Sequence, residues 1–175
     1  MSFTAQIRLA TINDAKALAA AGSALFLQSY DGLIADHEMA IYVADHFNET
    51  LQRSELSNPE MATLLVECNN KIAGFAQLSR NPVPIEGCNG EVELRRIYLA
   101  KDWHGKGVAQ KLMKKVADAA RSFSAQAIWL AVWEENLRAI AFYRKAGFEP
   151  VGALEFRVGT LVQNDVIMRA PVGEM

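Results

Sequence analysis

The stretch from Glu93 to Met113 constrains this chain more than any other. It opens as an apolar strand, Glu93-Leu94-Arg95-Arg96-Ile97-Tyr98-Leu99, and passes through a short polar turn to His104-Gly105-Lys106-Gly107-Val108-Ala109. From there Val108, Leu112, Val116 and Ala119 recur at helical steps, which predicts an amphipathic helix lying on a sheet. A helix that starts straight from a glycine turn has backbone N–H groups without intrahelical partners, at the positive end of its dipole. Glycine lets an anion come close to those groups, so the turn reads as a cradle for a pyrophosphate.

A second unit of the same kind follows. Ile128-Trp129-Leu130-Ala131-Val132-Trp133 reads as a strand, Glu134-Glu135-Asn136 as a turn, and Leu137 to Ala146 as a helix with Gly147 at its exit. Rival phosphate motifs do not fit. A P-loop needs Ser or Thr after Gly-Lys, where this chain has Gly107. A dinucleotide fingerprint needs a small residue where Gln110 stands.

The rest of the chain reads as follows. Gln6 to Leu9 is a first strand, and Thr11 or Asn13 caps a helix through Ala15, Leu18, Leu25 and Phe26, interrupted at Gly32. A second helix covers Met39 to Phe47, and further helix is expected near Leu51, before Pro59. Ala62 to Glu67 and Ile72 to Leu78 are strands joined by an Asn69-Asn70 turn. A loop from Asn81 to Gly90 precedes a fourth strand, Glu91 to Leu99, and Ala127 to Val132 is the fifth. Two last strands are expected over Leu154 to Val158 and Leu161 to Met168. The pattern predicts an α/β (α+β) fold with about seven strands. With 175 residues, 51% of them hydrophobic, a single domain over 1–175 is expected.

Composition excludes several function classes. A net charge of −2 provides no basic field for nucleic acid or membrane. Met1 to Gln6 has neither the charged nor the apolar part of a signal peptide, and no apolar run is long enough to span a bilayer. Cys68 and Cys88 fit no zinc spacing and read as free thiols of a reducing cytoplasm; His37, His46 and His104 form no metal motif, so no metal is expected. The chain has no Gly-x-Ser-x-Gly elbow of a serine hydrolase.

Taken together, the two strand–turn–helix units resemble the central motifs of the GNAT superfamily of acetyl-CoA-dependent N-acetyltransferases. The family's Gln/Arg-x-x-Gly-x-Gly/Ala pattern appears here as His104, Gly107 and Ala109, with His departing from the family at the first position. The resemblance implies the GNAT fold: a mixed, mostly antiparallel sheet with flanking helices, whose fourth and fifth strands splay around the cofactor. Its element order (strand, two helices, three strands, helix, strand, helix, two strands) matches the pattern read above. The likeness is strongest from Glu93 to Phe148.

Acetyl transfer from a thioester to an amine needs phosphate binding, a polarised carbonyl, a base for the amine and a proton for the thiolate. The turn Gly105 to Ala109, with Lys106 and Val108 in it, is the candidate phosphate site, and Lys106 and Lys111 equally fit a solvated helix face. The resemblance assigns the carbonyl contact to the backbone of Ile97, with Tyr98 and Leu99 pairing with the pantetheine arm. It assigns a pantetheine contact to Asn136 and the general acid to Tyr143. The resemblance makes Glu93 the candidate general base, since four residues before Ile97 it matches the catalytic glutamate of histone-acetylating members, with Glu91 as an alternative. A carboxylate of pKa about 4.3 cannot easily deprotonate an ammonium of pKa about 10, so a raised pKa or a water relay is expected. Lys145 and Arg144 are candidates for the cofactor's ribose phosphate or for plain exposure. Trp129 and Trp133 share one strand face and read as core, with Trp133 near enough to meet substrate.

The second half further resembles PaiA-type polyamine acetyltransferases, through Arg96-Ile97-Tyr98, Ala139-Ile140-Ala141-Phe142-Tyr143 and Asn164-Asp165-Val166-Ile167-Met168. That likeness implies a small-molecule amine acceptor of the spermidine or spermine type, and the family implies a homodimer. Asp31, Asp36, Glu38, Asp45 and Glu49 are candidates to attract a polycation or to form a solvated face. A protein or peptide acceptor, and a low-turnover acyl-CoA sensor, are the alternatives.

Overall fold

The computed structural model describes residues 5–84 and 92–174. Cys88, Glu91 and the expected loop from Gly87 to Gly90 lie outside them. β1 (Gln6–Leu9) leads through a 3-10 turn (Ile12–Asp14) into α1 (Ala15–Tyr30), α2 (Asp36–His46) and α3 (Glu49–Ser57). Then come β2 (Met61–Cys68), β3 (Lys71–Ser79), β4 (Val92–Leu99), a 3-10 turn (Lys101–Trp103) and α4 (Val108–Ser122). β5 (Ala127–Trp133), α5 (Leu137–Lys145), β6 (Glu149–Val158) and β7 (Leu161–Pro171) complete the order, with a final turn at Val172–Glu174. The seven strands form one sheet in the order β1-β2-β3-β4-β5-β7-β6. Every neighbouring pair is antiparallel except β4–β5.

Three α-helices precede β2; the third is the further helix expected near Leu51, and it is the family's order that had two. The third, α3, is short and mostly polar, so apolar periodicity hardly marks it. Its signal is a cap: the Asn48 side chain accepts from Leu51 N at 2.8 Å. Phe47, expected inside the second helix, lies just past its end and is buried. β6 and β7 run longer than expected. Pro150 and Gly152 break the apolar alternation of β6, and the ladder accommodates them with a register shift between these residues. The Asn69-Asn70 turn forms as read, with both residues at positive φ.

Strand alternation divides the core in two. Leu64, Val66, Ala76 and Leu78 face α4, where they meet Leu112, Val116 and Ala120. Leu65 and Phe75 face the other way and pack with Leu18, Phe26, Tyr42 and Phe47 from the N-terminal helices. The tip of the β6–β7 hairpin leans on the second cluster through Val158 and Phe156. Glu38 of α2 holds that tip: its carboxylate accepts from Thr160 N at 2.5 Å and from the Thr160 hydroxyl.

A buried polar network fixes α3 to the centre of the sheet. The Glu55 carboxylate accepts from Gln77 Nε2 at 2.9 Å, Arg96 Nη1 at 3.0 Å and Arg95 Nη1 at 3.0 Å. Arg96 also donates to Gln77 Oε1, and its guanidinium lies over the Phe47 ring at 5.2 Å. Removing one partner of a buried pair leaves an uncompensated charge, which costs about 3 kcal/mol. Arg96→Ala should therefore lower unfolding stability by about 3 kcal/mol in urea titration. Arg95→Ala, whose side chain keeps 30% exposure, should cost below about 1 kcal/mol; equal losses would refute the network's role.

Candidate active site

Among the described residues β4 and β5 pair only at Val92–Ile128 and Glu93–Trp129, then part. A β-bulge lies just beyond that point on β4: Leu94 and Arg96 oppose successive residues of β3, and Arg95 is the extra residue. Beyond the bulge the backbone direction of each β4 residue can be read. Ala100 N donates to Ala73 O at 2.8 Å, and a side chain at Gly74 would strike the Tyr98 carbonyl. Residues 98 and 100 thus face β3, and alternation turns the backbone of Ile97 and Leu99 toward the parted side. Of the two residues expected to pair with the cofactor arm, Leu99 faces the gap with its backbone and Tyr98 faces β3.

Into this gap opens a cavity of about 390 Å³. It takes lining from both core clusters: Phe26 and Tyr42 on one side, Val132, Ala139, Phe142 and Tyr143 on the other. Of the expected residues, Glu93, Ile97, Tyr98, Leu99, His104, Gly105, Gly107, Ala109, Asn136 and Tyr143 line it. Lys106, Val108 and Lys145 do not. The Lys106 ammonium sits over the Trp103 ring at 5.4 Å, Val108 is buried in the core, and Lys145 is exposed. The acidic residues expected to attract a polycation are also absent from the lining, and Glu38 is engaged by Thr160.

The glycine turn has the shape its sequence suggests. Gly105 and Gly107 both take left-handed φ, 73° and 74°, and no atom lies within 4 Å of where a Cβ would stand at either. Open space and the free N–H groups of the first turn of α4 suit the phosphates of a CoA-type cofactor. The His104 ring bonds to the protein through both of its nitrogens. Its Nε2 lies 2.8 Å from Leu99 O and must donate there, which leaves Nδ1 as the acceptor for Arg138 Nη2 at 2.5 Å. The ring thus latches the turn to the end of β4 and to α5. Asn136 caps α5, its Oδ1 accepting from Ala139 N at 3.1 Å.

Glu93 is held from outside its own strand. Asn81 Nδ2 donates to Glu93 Oε2 at 2.9 Å, and Asn81 O accepts from Trp129 Nε1 at 2.8 Å. Trp129 is core, while Trp133 reaches the cavity. Tyr143 packs its ring against Phe142 and Phe148. Burial pushes the hydroxyls of Tyr30, Tyr42, Tyr98 and Tyr143 above the ordinary tyrosine range, so all four are neutral phenols at physiological pH.

Several lining residues carry no signal strong enough for sequence reasoning. Arg138 stands one helical turn before Phe142 and looks like a surface cation until the fold turns it toward His104. Asp165 shares strand parity with the buried Ile167, and a carboxylate on an inward-facing row is a signal that could have been weighed. It is 5% exposed and lines the cavity. Burial, opposed by a hydrogen bond from Gln163, pushes its carboxyl up to about 6.

Comparison with known proteins agrees with this geometry. Residues 27–148 match the Acetyltransferase (GNAT) family. The chain is 33% identical over 157 residues to an uncharacterized N-acetyltransferase of Mycobacterium tuberculosis, covering 90% of this chain and 97% of that one. It is 32% identical over 87 residues to a spermine/spermidine N(1)-acetyltransferase of Bacillus subtilis, covering 49% of this chain and 57% of that one. The solved structure of a PaiA N-acetyltransferase from Thermoplasma acidophilum in complex with coenzyme A superposes with a TM-score of 0.79. That match has 19% identity and covers 96% of this chain and 99% of the other.

If the His104 ring latches the turn, His104→Ala frees Leu99 O and Arg138 together. One lost hydrogen bond of about 1 kcal/mol corresponds to a fivefold loss, so CoA affinity by calorimetry should fall about fivefold or more with the melting midpoint little changed. Unchanged affinity would refute the latch.

Proposed function

The chain belongs to the GNAT family of acetyltransferases and is an acetyl-CoA-dependent N-acetyltransferase; from that premise we propose that its acceptor is the primary amine of a small polyamine of the spermidine or spermine type. The observation that carries the proposal is the cavity between the parted strands. It joins the backbone cradle at the start of α4 to a wall of aromatic rings and carboxylates on the far side of the sheet. The likeness to the Bacillus subtilis spermine/spermidine enzyme over about half the chain supports a polyamine acceptor.

Acetyl-CoA supplies an activated thioester. In this reading the N–H groups from Gly105 to Ala109 hold its phosphates, with Arg138 adding charge beside them. Ile97 and Leu99 turn backbone groups toward the gap, the Leu99 carbonyl being taken by His104, and the Ile97 N–H polarises the thioester carbonyl. Glu93, steadied by Asn81, takes the ammonium proton directly or through water. Tyr143, a neutral phenol at physiological pH, is a proton donor for the departing thiolate. Asn136, Lys106, Val108 and Lys145 are assigned to the same cofactor region, the last three outside the cavity lining.

The proposal places a single catalytic domain in the cytoplasm, as a homodimer, with no nucleic-acid or membrane partner. The net charge of −2 supports the absence of a nucleic-acid partner. Among the described residues no helix is long and apolar enough to cross a membrane.

A free-thiol release assay with acetyl-CoA against spermidine, spermine, amino acids and short peptides tests the acceptor. Turnover is expected with the polyamines above the other amines, and turnover confined to peptides would overturn the assignment. General acid–base groups contribute about 100-fold or more, so Glu93→Gln and Tyr143→Phe should each lower kcat by roughly that factor while CoA affinity stays constant. Full activity in either variant would remove that residue from its role.

A further inference from the structure

The Asp165 carboxylate has no evident structural use. It is buried, faces the cavity from β7, and forms no ion pair with Lys or Arg among the described residues. Arg96 lines the same cavity, but Glu55 and Gln77 hold its guanidinium. Among the described residues the single hydrogen bond to the Asp165 carboxylate comes from Gln163 Nε2, at 3.1 Å to Oδ1. Gln163 is itself incomplete: its Oε1 is buried and has no hydrogen-bond partner. A buried carboxylate with one neutral hydrogen bond, beside a buried acceptor with none, is costly, because neither recovers what it gave up in leaving water. A ligand carrying N–H donors and a positive charge would satisfy both. The surroundings suit such a ligand, since Tyr30, Tyr42 and Phe156 line the same cavity and Tyr42 and Phe156 lie 6.1 Å apart. Aromatic faces attract alkylammonium groups.

We infer that Asp165 and Gln163 form the acceptor subsite, where Asp165 pairs with an ammonium group of an alkyl polyamine and Gln163 Oε1 accepts one of its N–H groups. This rests on the amine-transfer reading above and adds the residue that would select cationic acceptors. Asp165 is a binding residue here, distinct from Glu93, the candidate base.

The subsite has a pH signature. Tyr30 of α1 and Tyr42 of α2 line the cavity with Asp165, and the charge of Glu134, beyond the end of β5, also raises the carboxyl. Glu93 and Arg96 of β4 line the same cavity, and His46 stacks on Tyr42 at 4.0 Å. The ionised carboxylate is the form that binds a cation, and protonation removes it as pH falls through about 6. Spermidine affinity should therefore drop about tenfold from about pH 7.5 to about pH 5.

The test is calorimetric titration of the CoA-bound protein with spermidine. Asp165→Asn, close in shape, should weaken spermidine tenfold or more, leave CoA affinity unchanged, and flatten the pH dependence that the other groups would preserve. Gln163→Met, at a half-buried position, is a second variant expected to weaken spermidine about threefold. Equal affinity of wild type and both variants would overturn the subsite, and so would a wild type that does not bind spermidine. In that last case, thiol release with another amine would leave the acetyltransferase reading intact, whereas release with none would count against that reading itself.

Discussion

The separation of β4 from β5 is the constraint on which the rest depends. Two strands that part inside a sheet leave backbone donors and acceptors without their ladder partners, and such groups are costly unless something pairs with them. Here the opening begins after Glu93, and the extra residue at Arg95 adds local bend and twist to β4 as it leaves its neighbour. Part of the exposed edge is satisfied from within, because His104 takes the Leu99 carbonyl. The remainder faces a cavity. A CoA-dependent enzyme can use this arrangement directly, since an extended ligand with amide groups can replace the missing strand.

The surroundings make the opening stable. On one side of the sheet, α4 lies on an apolar surface built by alternate residues of four strands, which fixes the glycine turn at its start. On the other side, α3 is tied to β3 and β4 by the Glu55–Arg96–Gln77 network, so β4 stays on β3 while it leaves β5. The β6–β7 hairpin is drawn against α2 by the Glu38–Thr160 contacts, bringing Phe156 to the cavity wall. The two sides of the cavity differ in character. Backbone N–H groups and Arg138 lie near the start of α4, while neutral phenols and the Asp165 carboxylate face the N-terminal helices and β7. A ligand with an anionic end and a cationic end matches that polarity.

Much of this was legible from residue order alone. The two strand–turn–helix units, the glycine cradle and the candidate Glu93–Tyr143 pair all lie in local patterns. The helix from Val108, the strand from Ala127 and the cap at Asn136 appear where periodicity and capping predict them. What escaped was set by contacts between segments far apart in sequence. α3 stands where further helix was expected near Leu51, but its packing against buried polar atoms on β3 and β4 is not written in its own residues. The backbone directions of Tyr98 and Leu99 depend on a bulge that no local residue announces. Asn81, read as plain loop, reaches both Glu93 and Trp129.

The amino-acid sequence by itself determined the element types and the glycine turn, because short-range chemistry suffices for these: helical and strand periods, glycine's access to positive φ, and free N–H groups at a helix start; it also carries the two motifs through which the chain resembles its family. Tertiary structure alone decided where β4 and β5 part, that His104 turns to Leu99 and Arg138, and that Asp165 comes to line one cavity with Tyr30 and Tyr42. Those outcomes follow from register and from packing across the sheet, where residues separated by more than a hundred positions share one low-dielectric space. Burial in that space raises the Asp165 carboxyl and keeps the tyrosines neutral, and it exists only once the chain has folded.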